Sequence, residues 1–88
     1  MVTMATDKRV LNFREAEAEF DGRWLLLDKR SFPPSDDMGY VVAYGDGTSE
    51  DRDALRRINF DMFNGEVLLM KGYTPKDEVF DSGIIDIV

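Results

Sequence analysis

Four carboxylates crowd one joint of the chain. Asp46 sits inside the break Gly45-Asp46-Gly47, and Glu50, Asp51 and Asp53 follow closely. A glycine-rich joint before a helix invites a phosphate, because backbone can approach it and the helix start offers free N–H groups. The residues present do not fit. A dinucleotide fingerprint needs a third glycine where Glu50 stands, and a phosphate loop needs a lysine that this stretch lacks. The carboxylates themselves repel phosphate. They suit calcium or magnesium better, since both ions take oxygen ligands. The calcium-loop pattern, with acidic residues at alternate positions before a glycine, fails because Gly47 follows Asp46 directly. The joint therefore reads as a turn and a capped helix, and Asp36-Asp37 as a solvated turn.

Other reactive constellations are missing. The chain has no histidine and no cysteine. That removes the commonest general base, thiolate nucleophiles and the usual transition-metal ligands. No Gly-x-Ser-x-Gly elbow and no Ser-x-x-Lys frame occurs. A domain of 88 residues with one small sheet has little room for a pocket and its substrate. The sequence predicts no catalytic residue, no metal site and no cofactor, hence no enzyme. Arg52, Arg56 and Arg57 share a helix with Asp53, an arrangement that reads as a salt-laced wet face. A nucleic-acid helix would need a basic excess, whereas the formal charge is −7. Direct nucleic-acid binding is not expected. No apolar run approaches the length of a membrane span, and the first residues lack a signal-peptide core. Without disulfides or such segments, a cytoplasmic protein is expected.

The elements that position these groups follow from the punctuation of the sequence. Residues 1–11 read as a frayed N-terminus. Asn12 caps a short helix, with Glu15 three residues on in capping-box style, and Phe13, Ala16 and Phe20 share its apolar face. Asp21-Gly22 ends it. Arg23 to Asp28 is too short for a helix between breakers and reads as a strand. Residues 29–38 form a loop carrying Pro33-Pro34. Gly39 to Tyr44 is a β-branched and aromatic strand, paired with the first as an antiparallel hairpin. Thr48 with Asp51, or Ser49 alone, caps the main helix, Glu50 to Phe63. Its apolar stripe is Ala54, Leu55, Ile58 and Met62, widened by Phe63. Asn64-Gly65 stops it. Glu66 to Lys71 is a third strand, which a crossover would set parallel to the second. Thr74-Pro75 opens a turn through Glu78, and Ile84 to Val88 closes the chain as an edge strand or an apolar tail. One domain, 1–88, results. It is an α/β (α+β) fold, a small two- or three-layer sandwich of order α-β-β-α-β, with a possible short C-terminal strand and a mixed three- to four-stranded sheet.

A strand alternates its side chains between two faces. Trp24 and Leu26 oppose Leu25 and Leu27; Tyr40, Val42 and Tyr44 oppose Val41 and Ala43; Val67 and Leu69 oppose Leu68 and Met70. All three strands are apolar on both faces, as buried strands are. One good helix covers one face. The other is left to the short helix, the C-terminal segment or another molecule.

The run Phe20-Asp21-Gly22-Arg23-Trp24-Leu25, then Gly39-Tyr40-Val41-Val42-Ala43-Tyr44-Gly45-Asp46, a capped helix, Gly65-Glu66-Val67-Leu68 and Thr74-Pro75-Lys76-Asp77-Glu78 resembles small prokaryotic proteins known only as a domain of unknown function. The resemblance spans Phe20 to Glu78. The Lys29 to Asp37 loop and the apolar end Ile84 to Val88 depart from it. It implies the strand–helix–strand fold and brings no activity and no functional residue.

The functional expectation is a non-enzymatic, acidic protein-interaction module that engages a protein partner or forms a homo-oligomer. Its surface would comprise Trp24, Leu25, Leu27, Val41, Leu68 and Met70 from an uncovered sheet face, with Asp46, Glu50, Asp51 and Asp53 as the acidic part. Two alternatives stand beside it. An acidic inhibitor of the antitoxin or phage anti-defence type would mimic nucleic acid toward a basic enzyme. A small-ligand or divalent-metal carrier would hold its cargo near Trp24.

Overall fold

The computed structural model describes residues 1–73; the expected turn from Thr74 and the expected strand or tail Ile84 to Val88 lie outside the described residues. Five strands and two helices form: β1 (Thr3–Met4), β2 (Val10–Asn12), α1 (Phe13–Glu19), β3 (Trp24–Asp28), β4 (Met38–Gly45), α2 (Ser49–Phe63) and β5 (Leu68–Lys71). The expected α-β-β-α-β core is present, preceded by two short strands.

Asn12 starts α1 with a full capping box. Its side chain accepts from the Glu15 N–H at 2.7 Å, and the Glu15 carboxylate accepts from the Asn12 N–H at 3.0 Å. Thr48, not Ser49, caps α2 by accepting from the Asp51 N–H at 3.1 Å. Asn64 ends α2 in the left-handed region at φ 55°, and Gly65 follows at φ 76°. Two successive positive φ values turn the chain sharply back toward the sheet.

β3 is the central strand. Leu25, Leu26 and Leu27 have no exposed surface at all, so both faces of this strand lie in the interior. β4 and β5 flank it, each antiparallel to it. β4 and β5 therefore run in the same direction, as the crossover required, but β3 stands between them. Every strand pairing in the described sheet is antiparallel, where a mixed sheet was expected. Among the described residues, the one parallel contact is an isolated bridge between Asp21 and Gly72.

The N-terminus corrects the expectation of fraying over residues 1–11. β1 and β2 both pair with β4, from Thr3 opposite Tyr44 to Asn12 opposite Met38. The backbone groups on that edge of β4 take partners from the chain start, which is why a segment without strong local propensity is held. The hairpin β3–β4 closes across a loop over residues 29–37, as expected, and β4 takes in Met38.

α1 lies on one face and α2 on the other, so the fold is a three-layer sandwich. On the α1 face, Ala16 and Phe20 pack against Leu25, Leu27 and Val41. On the α2 face, Leu55 packs with Leu26, Ala43 and Val67. The pairing register slips between Leu26, opposite Ala43, and Leu27, opposite Val41. Val42 is the extra residue of a β-bulge. Strict alternation in β4 fails there: Val42 and Ala43 join the α2 face together, while Val41 and Tyr44 join the α1 face.

Candidate interaction surface

The buried stripe of α2 runs Asp51, Leu55 and Asn59. Asn59 explains how a polar residue fits there. Its amide donates to the Val67 carbonyl at 2.6 Å, and its carbonyl accepts from the Val67 N–H at 3.1 Å. The two bonds join α2 to the residue before β5 and satisfy buried groups on both sides. They also set how α2 is rotated. Met62, expected on the buried stripe, is 61% exposed instead.

Beside the last turn of α2, Tyr40 and Val42 stay only half-buried, Val42 at the margin of the α2-face cluster. A groove of about 420 Å³ opens at this spot. Its walls are the last turn of α2 (Met62, Phe63), β4 (Tyr40, Val42) and the segment joining β1 to β2 (Met4, Ala5, Thr6, Asp7, Lys8), with Asp28 and Ser31 closing one end. Met4 at 41% and Met62 at 61% are exposed. Methionine is unbranched and polarizable, and it adapts to irregular apolar partners. The Phe32 ring lies 5.3 Å from that of Tyr40, and the Arg30 guanidinium stands 5.3 Å over the Phe63 ring. Asp28 receives two bonds from the Arg30 side chain, at 3.0 and 2.9 Å. Those bonds hold the Asp28 carboxyl below the usual carboxylate range, against the opposing effect of burial. The groove thus has an apolar floor, an Asp28 charge already neutralised, and Asp7 and Lys8 on an open rim.

The ten expected surface residues do not come together. Leu25, Leu27 and Val41 are buried beneath α1; the short helix covers the face that was expected to be open, because Ala16 and Phe20 fill it. Met70 is half-buried against the same cluster. Trp24 is half-buried on the α2 face beside Leu26 and Leu55, with the Lys71 ammonium 5.6 Å over its ring. Its indole Nε1 is buried without a hydrogen-bond partner among the described residues. Only Leu68 is exposed among the apolar six, at 39%.

The four carboxylates divide as well. Asp51 is buried and accepts from the Asp46 N–H at 2.7 Å and from the Met1 ammonium at 2.7 Å. The ammonium also reaches Asp46 at 3.1 Å. These bonds depress the Asp51 carboxyl and raise the Met1 ammonium above its ordinary value, the ammonium's bond to Asp51 being the largest cause of each. Asp53 is exposed and pairs with Arg52 at 3.2 Å and Arg56 at 3.8 Å. Glu50 is exposed. Asp51 is a structural staple for the Gly45–Gly47 turn, and Asp53 belongs to the salt-laced face. No group of three or more acidic side chains is placed to hold a metal ion among the described residues. No helix among them is long and apolar enough to cross a membrane.

The groove residues Met4, Tyr40, Val42 and Met62 were not among the surface residues expected from the sequence. Their signal was the pair of β-branched and aromatic residues in β4 that a single helix of fifteen residues is too short to cover along its whole length. Neither a scan of protein-family models nor searches of curated proteins and of solved structures found a match.

Proposed function

We propose that the chain is a small, acidic, non-enzymatic module that binds another protein, and that the groove at the end of α2 receives an apolar side chain of that partner. The observation that carries this reading is the groove over half-buried Tyr40 and Val42, flanked by exposed Met62 and Met4. Concave apolar sites with a few polar groups at the rim are the usual form of a binding site, and methionine and aromatic residues are enriched in interfaces. The net charge of −7 favours a partner segment with basic residues beside its apolar anchor, since opposite fields speed encounter and disfavour acidic competitors. A cytoplasmic setting, consistent with a chain free of cysteine, belongs to the same proposal.

The nucleic-acid mimic draws less support. It needs an unbroken row of free carboxylates, and of the four at the α2 start one is buried and one shares two arginines.

Selection of a displayed random-peptide library against the wild-type protein, with Met62→Lys as the counter-target, tests the groove. Met62 is on the surface, so the lysine leaves the fold intact. The expected outcome is a set of peptides with one large apolar residue between lysines or arginines. Their binding falls about ten-fold or more in the variant, the range for losing an interface anchor. Equal enrichment on both proteins, or none on either, overturns the proposal.

A further inference from the structure

The outer edge of β5 is open. β5 ends the sheet on the side away from β1, with β3 as its only neighbouring strand among the described residues. Successive residues of an antiparallel strand point their backbone groups to opposite sides. Gly72 donates to the Arg23 carbonyl at 2.8 Å and accepts from the Gly22 N–H at 3.0 Å, so Met70 and Leu68 turn their groups to β3 as well. Val67, Leu69 and Lys71 face the other way. The Asn59 amide takes both backbone groups of Val67. Nothing among the described residues takes those of Leu69 and Lys71. Unpaired edge groups are a template for a further strand. This template consists of Leu69 and Lys71, and Asn59 closes one end of it.

We propose that this edge seats the chain's own segment Ile84 to Val88, added antiparallel to β5. That segment lies outside the described residues; its composition and its distance along the chain make the case. Four of its five residues are isoleucine or valine, types that fit a pleated surface well. Ten residues, 74 to 83, separate it from Tyr73, more than a strand needs to turn back along its neighbour. A segment tethered in this way meets the edge at an effective concentration on the order of millimolar. A second copy or a foreign strand has to reach that concentration to compete, so the tethered segment is the favoured occupant.

The free groups and the charges select one register. Lys71 holds its ammonium over the Trp24 ring and makes no ion pair among the described residues. Opposite charges directly across a strand pair are favourable, and like charges are not. Asp86 opposite Lys71 sets Val88 opposite Leu69, so both free positions gain their backbone bonds. Val88 then extends the α2-face cluster at Leu69, and Ile87 lies beside Met70 on the α1 face. A slip of two residues one way sets Asp86 against apolar Leu69, and Val88 against Val67, whose groups Asn59 already holds. A slip of two the other way leaves Leu69 unpaired. A slip of one residue turns Asp86 to the apolar α1 face. The groove at the end of α2 lies beside β4, across β3 from this edge, so the two proposals stand or fall separately.

Residue-resolved amide exchange on the full chain reads the edge directly, because the Leu69 and Lys71 N–H groups have no other partner among the described residues. The expected result is slow exchange at both, unchanged across a series of protein concentrations. Asp86→Pro removes a donor from the added strand and speeds exchange at Leu69 and Lys71 about ten-fold or more. Asp86→Lys sets two ammonium groups opposite each other and speeds it about three-fold. The Met70 N–H faces β3 and stays slow in both variants, which shows that the sheet is intact. Fast exchange at Leu69 and Lys71 in the wild type, protection that rises with concentration as a second copy takes the edge, or either variant protected like the wild type each overturns the proposal.

Discussion

At the scale of single residues, Asn59 carries more of the architecture than any carboxylate. Its amide makes both bonds to the Val67 backbone in the interior. Asn59→Leu adds apolar volume but leaves a buried N–H and a buried carbonyl without partners. Each unmade bond costs about 1–3 kcal/mol, so the variant should lose about 2–6 kcal/mol, read as a lower urea midpoint at unchanged slope. Asn59→Asp keeps the acceptor but sets a buried carboxylate against the Val67 carbonyl, and should cost at least as much. The position was hard to see in the sequence because a polar residue there interrupts the expected stripe of Leu55, Ile58 and Met62. The capping box at Asn12 and Glu15 was legible, since it depends only on residues three apart. Asp28 makes a second residue-scale prediction. Its carboxyl is depressed by Arg30, so the folded state holds its proton less tightly than the unfolded chain does. The stability it contributes is present above the ordinary carboxylate pKa and disappears as pH falls through the depressed folded value. Asp28→Asn should lower stability by about 0.5–1 kcal/mol at pH 7, the scale of a partly exposed ion pair. It should also flatten the acid limb of a stability–pH curve below about pH 4. An acid limb identical to that of the wild type would show that Arg30 does not act through this carboxylate.

At the scale of elements, the strands, helices and their caps were legible because each rests on local chemistry: β-branched runs, helical spacing and Asn-Gly punctuation. What escaped were features set by distant partners. β1 and β2 are held by β4, thirty or more residues away in three of their pairings (Thr3 with Tyr44, Met4 with Ala43, Val10 with Tyr40). The bulge at Val42 is a property of the β3–β4 register and not of β4 alone. The bulge in turn moved Val42 beside Ala43 and made it part of the groove floor. Gly72 shows the same dependence. It donates to the Arg23 carbonyl at 2.8 Å and accepts from the Gly22 N–H at 3.0 Å. A Cβ at this position would overlap the Phe20 carbonyl. Backbone on both sides leaves no room to give, so Gly72→Ala should cost about 2–3 kcal/mol or more, the range for overpacking a filled site. The same change at Gly65, where nothing lies near the added carbon, meets only the positive φ and should cost about 1 kcal/mol. Comparing the two by thermal unfolding separates crowding from backbone strain; equal losses would contradict the close approach at Gly72.

For the whole molecule, the two apolar clusters sit on opposite faces of a strand only five residues long. The leucines of β3 bind the layers together: Leu25 and Leu27 serve α1, and Leu26 serves α2. Among the described residues, neither helix has a second sheet to lean on. A truncation on either face should therefore unfold both layers at once. Leu26→Ala removes a fully buried side chain and should cost about 2–5 kcal/mol. Leu25→Ala should cost a similar amount through the other cluster. Domains of this size have about 4–13 kcal/mol in total, so either change takes a large fraction of it. The discriminating measurement is residue-resolved amide exchange. If the sheet couples the layers, Leu26→Ala weakens protection in α1 as much as in α2, although it touches only the α2 cluster. Protection lost in α2 alone would mean two separable halves. In that case α1 could lift from Leu25, Leu27 and Val41 without unfolding the rest, and the face it covers would become a docking surface after all.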